Sequence, residues 1–240
     1  MFMPDGAFKI YYLSETAVTV EFGQQIAGNL LNAVNSLNNL LYGRPFPGFR
    51  TTVPAYATLT VFYDPVLVIK SNLPGADCFE KVSAYLTDLN RQKKAAKPVE
   101  GDIVTIQVCY GGDFGPDLEE VASLHRISIA EVVRLHSAAT YKVYMIGFVP
   151  GFAYLGGMDE RLATPRKATP RKSVPAGAVG IAGQQTGVYP LETPGGWQII
   201  GRTPLRLFDQ NRRQPSLLKP GDTVIFKAID AKEFKELTAG

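Results

Sequence analysis

Cysteine and histidine are scarce in this chain, with two of each among 240 residues. Cys78 and Cys109 lie far apart and neither belongs to a CxxC pair, which excludes a disulfide framework and a cysteine-rich zinc site. His125 and His136 are too few for a histidine-rich metal centre, so no metal site built by the chain itself is expected. Charge of one sign is lacking as well. Twenty-five Lys+Arg against 22 Asp+Glu leave a net charge of +3, too weak to argue for nucleic acid. No run of about 18 uninterrupted apolar residues occurs, so no membrane span is expected. Met1–Tyr11 has no basic stretch followed by an apolar one, so no signal peptide is expected either and the default compartment is the cytoplasm. Absent too are G-x-x-x-x-G-K-[ST], a G-x-G-x-x-G opening a helix after a strand, G-x-S-x-G and H-E-x-x-H. Any nucleotide or anion chemistry must therefore use an irregular site.

What is present divides near Pro98. Apolar residues at 45% and charged residues at 20% suit a folded soluble protein, and the length allows one domain or two. Lys9–Leu13 and Ala17–Phe22 read as strands around a Ser14-Glu15-Thr16 turn. From Gln24, Ile26, Leu30, Val34, Leu37 and Leu41 recur at helical steps up to Gly43. Pro45, Pro47 and Gly48 mark a loop, Thr58–Tyr63 alternates as a strand, and a helix is expected from Pro74 to Lys94 with Phe79, Val82, Leu86 and Leu89 buried. The basic Arg91–Pro98 stretch reads as a solvated helix end and linker rather than a nucleic-acid contact. The expected domains are an α+β unit over 1–95 and a mainly β unit over 98–240.

In the second unit Ile103–Tyr110 reads as a strand, and Asp117–Leu124 and Ser128–Ser137 as short helices, the latter opened by a Ser128/Glu131 capping box. A helix-turn-helix is disfavoured, because the exposed positions of Ile129–His136 offer only Arg134 to a base edge. Beyond Tyr141, short apolar runs are punctuated by Gly and Pro, the pattern of an antiparallel barrel or sandwich with almost no helix.

Three constellations could carry chemistry. Helical spacing puts His136 on a stripe with Ile129, Val132 and Val133, and His125 on one with Leu118, Val121 and Ala122. Either histidine could be a catalyst or a hydrogen-bonded core residue. Thr164-Pro165-Arg166-Lys167 and Thr169-Pro170-Arg171-Lys172, with Arg161, supply five cations within a dozen residues. Arg166 and Arg171 can serve one anion only if this segment is an irregular loop, and a solvated basic loop is the bland alternative. Gly147–Gly157 and Gly183–Pro190 interleave glycines with Phe148, Pro150, Phe152, Tyr154 and Tyr189, which suits either a pocket wall or the tight turns of a small barrel.

The blocks Tyr110-Gly111-Gly112, Gly115-Pro116-Asp117-Leu118, Leu135-His136-Ser137, Gly147-Phe148-Val149-Pro150-Gly151-Phe152 and Thr164-Pro165-Arg166 through Pro170-Arg171 occur in this order. Val174-Pro175-Ala176-Gly177, Gly180-Ile181-Ala182-Gly183, Gln185–Pro190, Thr193-Pro194-Gly195-Gly196-Trp197 and Leu217–Asp222 follow them. The chain from about Val104 to Phe226 thereby resembles the KipI/PxpB family of 5-oxoprolinase subunits, also called allophanate hydrolase subunit 1. The first unit fits more loosely, through Ser14–Val18, Val53–Tyr56 and Tyr63-Asp64-Pro65, with Arg44–Arg50 as an insertion.

The resemblance implies a small N-terminal α+β domain followed by a cyclophilin-like β-barrel. It implies work with a separately encoded PxpC-like subunit and a PxpA-like protein, as an ATP-dependent hydrolase opening the lactam of 5-oxo-L-proline to L-glutamate. The cofactor implied is ATP bound by the assembled complex, with the metal requirement open and magnesium accompanying the ATP as one form it could take. Family relatives also imply two alternatives, an inhibitor that binds a sporulation-type sensor histidine kinase and an allophanate- or urea-processing subunit. On the matching motifs, His136, Arg166 and Arg171 are the expected catalytic residues, His136 for proton handling or orientation. Phe148, Pro150, Phe152, Tyr154, Gln185, Thr186, Tyr189 and Trp197 are the expected pocket residues.

Overall fold

A computed structural model describes residues 8–24, 28–92 and 101–239. Its contacts divide the chain into two compact units, Met1–Val99 and Glu100–Gly240. Ile26 and residues 93–98 of the expected linker lie outside the described residues, as does most of the amino-terminal stretch read for a signal peptide.

In the first unit β1 (Lys9–Ser14), β2 (Ala17–Glu21), α1 (Gly28–Gly43), β3 (Phe49–Pro54), β4 (Thr58–Tyr63), α2 (Pro65–Ile69) and α3 (Cys78–Arg91) follow in order. The strands form an antiparallel sheet in the order β1-β2-β4-β3. β4 alternates with Leu59, Val61 and Tyr63 inward, and these pack with Val34, Leu37 and Leu41 of α1 and Val82, Leu86 and Leu89 of α3. The α3 helix starts four residues later than the expected Pro74, because Asp77 accepts the Glu80 amide at 2.8 Å and caps it there. Buried Lys81 is satisfied by the Ser71 and Leu73 carbonyls, at 2.9 and 2.6 Å.

The second unit contains β5 (Ile103–Tyr110), α4 (Leu118–His125), α5 (Ile129–Ala138), β6 (Thr140–Ile146), β7 (Ala153–Gly156), β8 (Arg171–Val174), β9 (Ala178–Ala182), β10 (Gln185–Val188), β11 (Thr193–Gly195), β12 (Gln198–Arg202), β13 (Thr223–Ile229) and α6 (Ala231–Ala239). Seven of these strands close a barrel in the order β10-β7-β6-β13-β5-β12-β9, and β8 and β11 pair separately. The barrel is mixed. β5 and β13 run parallel from Ile103↔Thr223 to Cys109↔Ile229, whereas the other neighbours are antiparallel. Ile106, Val108, Tyr141, Val143, Leu155, Ile181, Val188, Ile200 and Phe226 fill the interior, and α4 and α5 add Leu118, Val121, Val132 and Leu135 to the same core. The expected capping box of α5 is half made. Ser128 accepts the Glu131 amide at 3.1 Å, but the Glu131 carboxylate turns to Arg134 and Arg161. α6 was not expected from the sequence; Phe234 docks it on Phe114, with ring centroids 4.6 Å apart.

Candidate functional site

Strand alternation sorts the side chains of the barrel wall. Ala153 and Leu155 of β7, Val188 of β10 and Ile200 of β12 enter the interior core. Tyr154, Tyr189, Ile199 and Ala182 join a second cluster on the outside with Phe152, Val174, Ala178 and Trp197. Gly187 makes that outer cluster feasible. A Cβ there would stand 2.9 Å from the Ala153 carbonyl oxygen and 3.0 Å from the Phe152 ring, so only hydrogen fits beneath the aromatics. Phe152 is the hub. Its ring meets Phe148, Tyr154, Tyr189 and Trp197 at centroid distances of 5.6, 4.9, 5.2 and 5.4 Å, all edge-on. Phe148 is 60% exposed and holds φ at 69°, a left-handed conformation that a bulky side chain adopts at a cost. Five of the expected pocket residues thus share one wall, and Pro150 sits exposed in the adjoining loop.

The basic segment reaches this wall as an irregular loop that becomes β8 only at Arg171. The β8–β11 register sets Arg171 opposite Gly195, and the missing side chain of Gly195 is where the Tyr189 hydroxyl lies. Burial raises the Tyr189 pKa, while the Trp197 backbone amide, Arg166 and Arg171 pull it back down. Tyr154 is likewise raised by burial and lowered by Arg166. Both phenols are therefore protonated near neutral pH and serve as donors rather than bases.

Arg171 and Lys167, rather than Arg171 and Arg166, meet on one carboxylate. Asp117 Oδ1 accepts Arg171 Nη2 at 2.6 Å and Lys167 Nζ at 3.0 Å, and Asp117 Oδ2 accepts the Ile199 amide at 2.6 Å. Burial pushes the Asp117 pKa up, but hydrogen bonds from Arg171, Ile199 and Lys167 outweigh it and hold the carboxyl below its usual range. Lys167 also bonds Glu120 at 2.8 Å and the Gln198 amide oxygen at 3.3 Å. Arg166 is exposed and, among the described residues, forms no ion pair. Arg171 Nη1 is buried without a hydrogen-bond partner among them.

His136 stands on the other side of the wall. It is fully buried in the barrel interior against Phe226 and Tyr141, with ring centroids at 4.6 and 5.4 Å. Thr186 donates its hydroxyl proton to the Gly180 carbonyl at 2.9 Å, so it must accept from His136 Nε2–H, also at 2.9 Å. Nδ1 is then an acceptor for the Tyr110 hydroxyl at 2.8 Å. Desolvation lowers the His136 pKa to about 3, which keeps the ring neutral. This is the geometry of the hydrogen-bonded core histidine, and neither ring nitrogen is open to a solute. The same orientation puts the Thr186 side chain inside the barrel, and Gln185 is half-buried at the start of β10. His125 bonds the Thr164 hydroxyl at 2.9 Å.

The residue that sequence reasoning misses is Asp117. It belongs to a Gly-Pro-Asp-Leu block at a helix start, where a capping role is the obvious inference, yet its side chain makes no cap bond. A cavity of about 400 Å³ lies apart from the aromatic wall, lined by Gly111, Pro116, Leu118, Glu119, Ile129 and Val133.

The carboxyltransferase domain family, subdomains C and D, matches residues 8–218. The chain is 46% identical over 228 residues to a 5-oxoprolinase subunit of Bacillus subtilis (strain 168), covering 95% of each. It is 42% identical over 218 residues to the corresponding 5-oxoprolinase subunit of Escherichia coli O157:H7, covering 91% of this chain and 94% of that one. Among solved structures, TTHA0988 superposes with a TM-score of 0.76 at 36% identity over 90% of this chain, which spans 40% of the length of TTHA0988.

Proposed function

The chain belongs to the family of carboxyltransferase subdomains C and D, and on that premise we propose that it is one subunit of an ATP-dependent 5-oxoprolinase, a hydrolase that opens 5-oxo-L-proline to L-glutamate. The observation that carries the reading is 46% identity to a 5-oxoprolinase subunit across 95% of both chains. The partners on this reading are a PxpC-like second subunit and a PxpA-like protein.

An unactivated lactam is a weak electrophile, and ATP bound to the complex supplies a phosphoryl group that makes the ring carbon attackable. The outer wall suits the charges this creates. The exposed Arg166 and the buried, unpaired Nη1 of Arg171 offer guanidinium donors to a carboxylate or phosphoryl oxygen. Tyr154 and Tyr189 add hydroxyl donors, and Phe148, Phe152 and Trp197 shield the site from water. His136 acts as a positioning residue, fixing Thr186 on the interior side of the β10 strand whose outer side carries the site.

The test is turnover by the complex of this chain with its second subunit, read as ATP-dependent glutamate release. The isolated chain should show negligible turnover, because it has no P-loop. Arg166→Ala and Arg171→Ala should each lower turnover of the complex by at least about tenfold, the loss of one charge-assisted contact. Only Arg171→Ala should also destabilise the fold, because it leaves buried Asp117 short of a partner. Wild-type turnover by both variants, or robust turnover by the isolated chain, would overturn the reading. Stoichiometric capture of a sensor kinase without glutamate release would favour the inhibitor in its place.

A further inference from the structure

We propose that Asp117 is a positioning residue for anion recognition: by holding Arg171 through Nη2 it leaves the buried Nη1 unpaired, as a preset donor for a carboxylate or phosphate oxygen. This rests on the reading that the outer-wall site takes an anion.

Three observations carry the inference. Asp117 is 3% exposed and accepts three hydrogen bonds, from Arg171, Lys167 and the Ile199 amide, so its carboxylate has no freedom to follow a ligand. It occupies the residue before α4, where an aspartate ordinarily bonds the first amides of the helix, but its side chain makes no such bond and is directed wholly to the cations and Ile199. Finally, one half of the Arg171 fork is engaged and the other is not. Nη1 is buried with no acceptor among the described residues, and a buried guanidinium donor left unmade is costly unless a ligand completes it. The charges agree. Lys167 and Arg171 balance Asp117 and Glu120, which leaves the exposed Arg166 uncompensated for an incoming anion.

The proposal makes an inverted prediction. Asp117→Asn removes a negative charge close to the site, so a carboxylate acting only through its field would hinder anions and its loss would tighten their binding. A positioning carboxylate predicts the opposite, because Arg171 is released from its fixed orientation.

The experiment uses the full-length chain, with inorganic phosphate and 5-oxoproline as separate probes. Binding is read from the fluorescence of Trp197, the single tryptophan of the chain. Nitrogen-15 spectra of the Arg171 guanidinium report orientation independently of affinity. Wild-type protein should bind at least one probe and give two distinct Nη signals, and the probe that binds identifies the anion as phosphoryl or carboxylate. Asp117→Asn should weaken that probe at least about fivefold and merge the Nη signals through rotation, while Arg171→Ala removes binding. Tighter or unchanged binding in Asp117→Asn, with binding lost in Arg171→Ala, overturns the positioning role and leaves the anion site standing. No binding by wild type, or unchanged binding in Arg171→Ala, overturns the anion site and the proposal with it. Should Asp117→Asn fail to fold, Arg171→Lys carries the test. Lysine keeps the charge and the bond to Asp117 but has no second arm, so it should bind as poorly as Arg171→Ala, and wild-type affinity would overturn the proposal.

Discussion

A neutral imidazole locked between two hydroxyls makes the stability of the barrel sensitive to acid. Folded His136 releases its proton down to a pKa of about 3, whereas in the unfolded chain it binds one below its ordinary 6.5. The unfolded state therefore binds more protons between those values, and stability must fall as pH drops through that window. The expected slope is about 1.4 kcal/mol per pH unit for one proton. Depressed carboxylates such as Asp117, and Asp159 at about 2, act with the same sign but only below the usual carboxylate range. In the interval from about pH 6 to pH 4.5 the histidine acts with little help from these carboxylates, while Asp222, raised by burial, acts with the opposite sign. Urea unfolding across this interval should show the slope in wild type and lose it in His136→Asn; an unchanged slope in that variant would assign the proton elsewhere. Periodicity already put His136 on a buried stripe, and that much of its role is legible in the sequence. Its hydrogen-bond partners are not, because Tyr110 and Thr186 lie 26 and 50 positions away and meet it only through barrel closure.

Elements differ in how openly they are written. β4 is legible from six alternating residues, and α3 from its stripe, because in both the buried face is decided within the element. β3 is not, since none of its residues is buried and it gains its place from pairing with β4. α6 is likewise hidden, since none of its residues 231–238 is buried enough to mark a stripe. The aromatic and cationic residues of the site are legible as composition, but their division into an outer wall and an interior depends on which side of β10 each residue falls. That division makes Gly187 the sensitive position of the strand. Gly187→Ala forces a methyl against the Ala153 carbonyl and the Phe152 ring, and should cost roughly 1–3 kcal/mol as overpacking. A melting curve followed by Trp197 fluorescence should show both the lower transition and an altered native signal. A variant with wild-type melting and emission would mean the wall is looser than its distances indicate.

At the scale of the whole molecule, the chain divides into units 1–99 and 100–240, and each unit has its own core. A fragment spanning 98–240 should give a β-rich spectrum and a cooperative melt, whereas the same fragment stopped at Gly221 should give neither. The reason lies in the parallel pair β5–β13, which joins the first strand of the barrel to the last. Asp222 reinforces that seam by accepting the amide of Asp102, 120 positions earlier. On the ribosome, β5 emerges with both of its neighbours, β12 and β13, still unsynthesised, and it must wait through nearly the whole unit before the barrel can close. Closure over so long a separation makes folding slow and leaves an unpaired edge exposed in the meantime. The nascent chain is therefore at greatest risk of aggregation in the interval between β5 and β13. Slowed translation within that interval should lower the yield of soluble protein more than the same delay placed after Ile229.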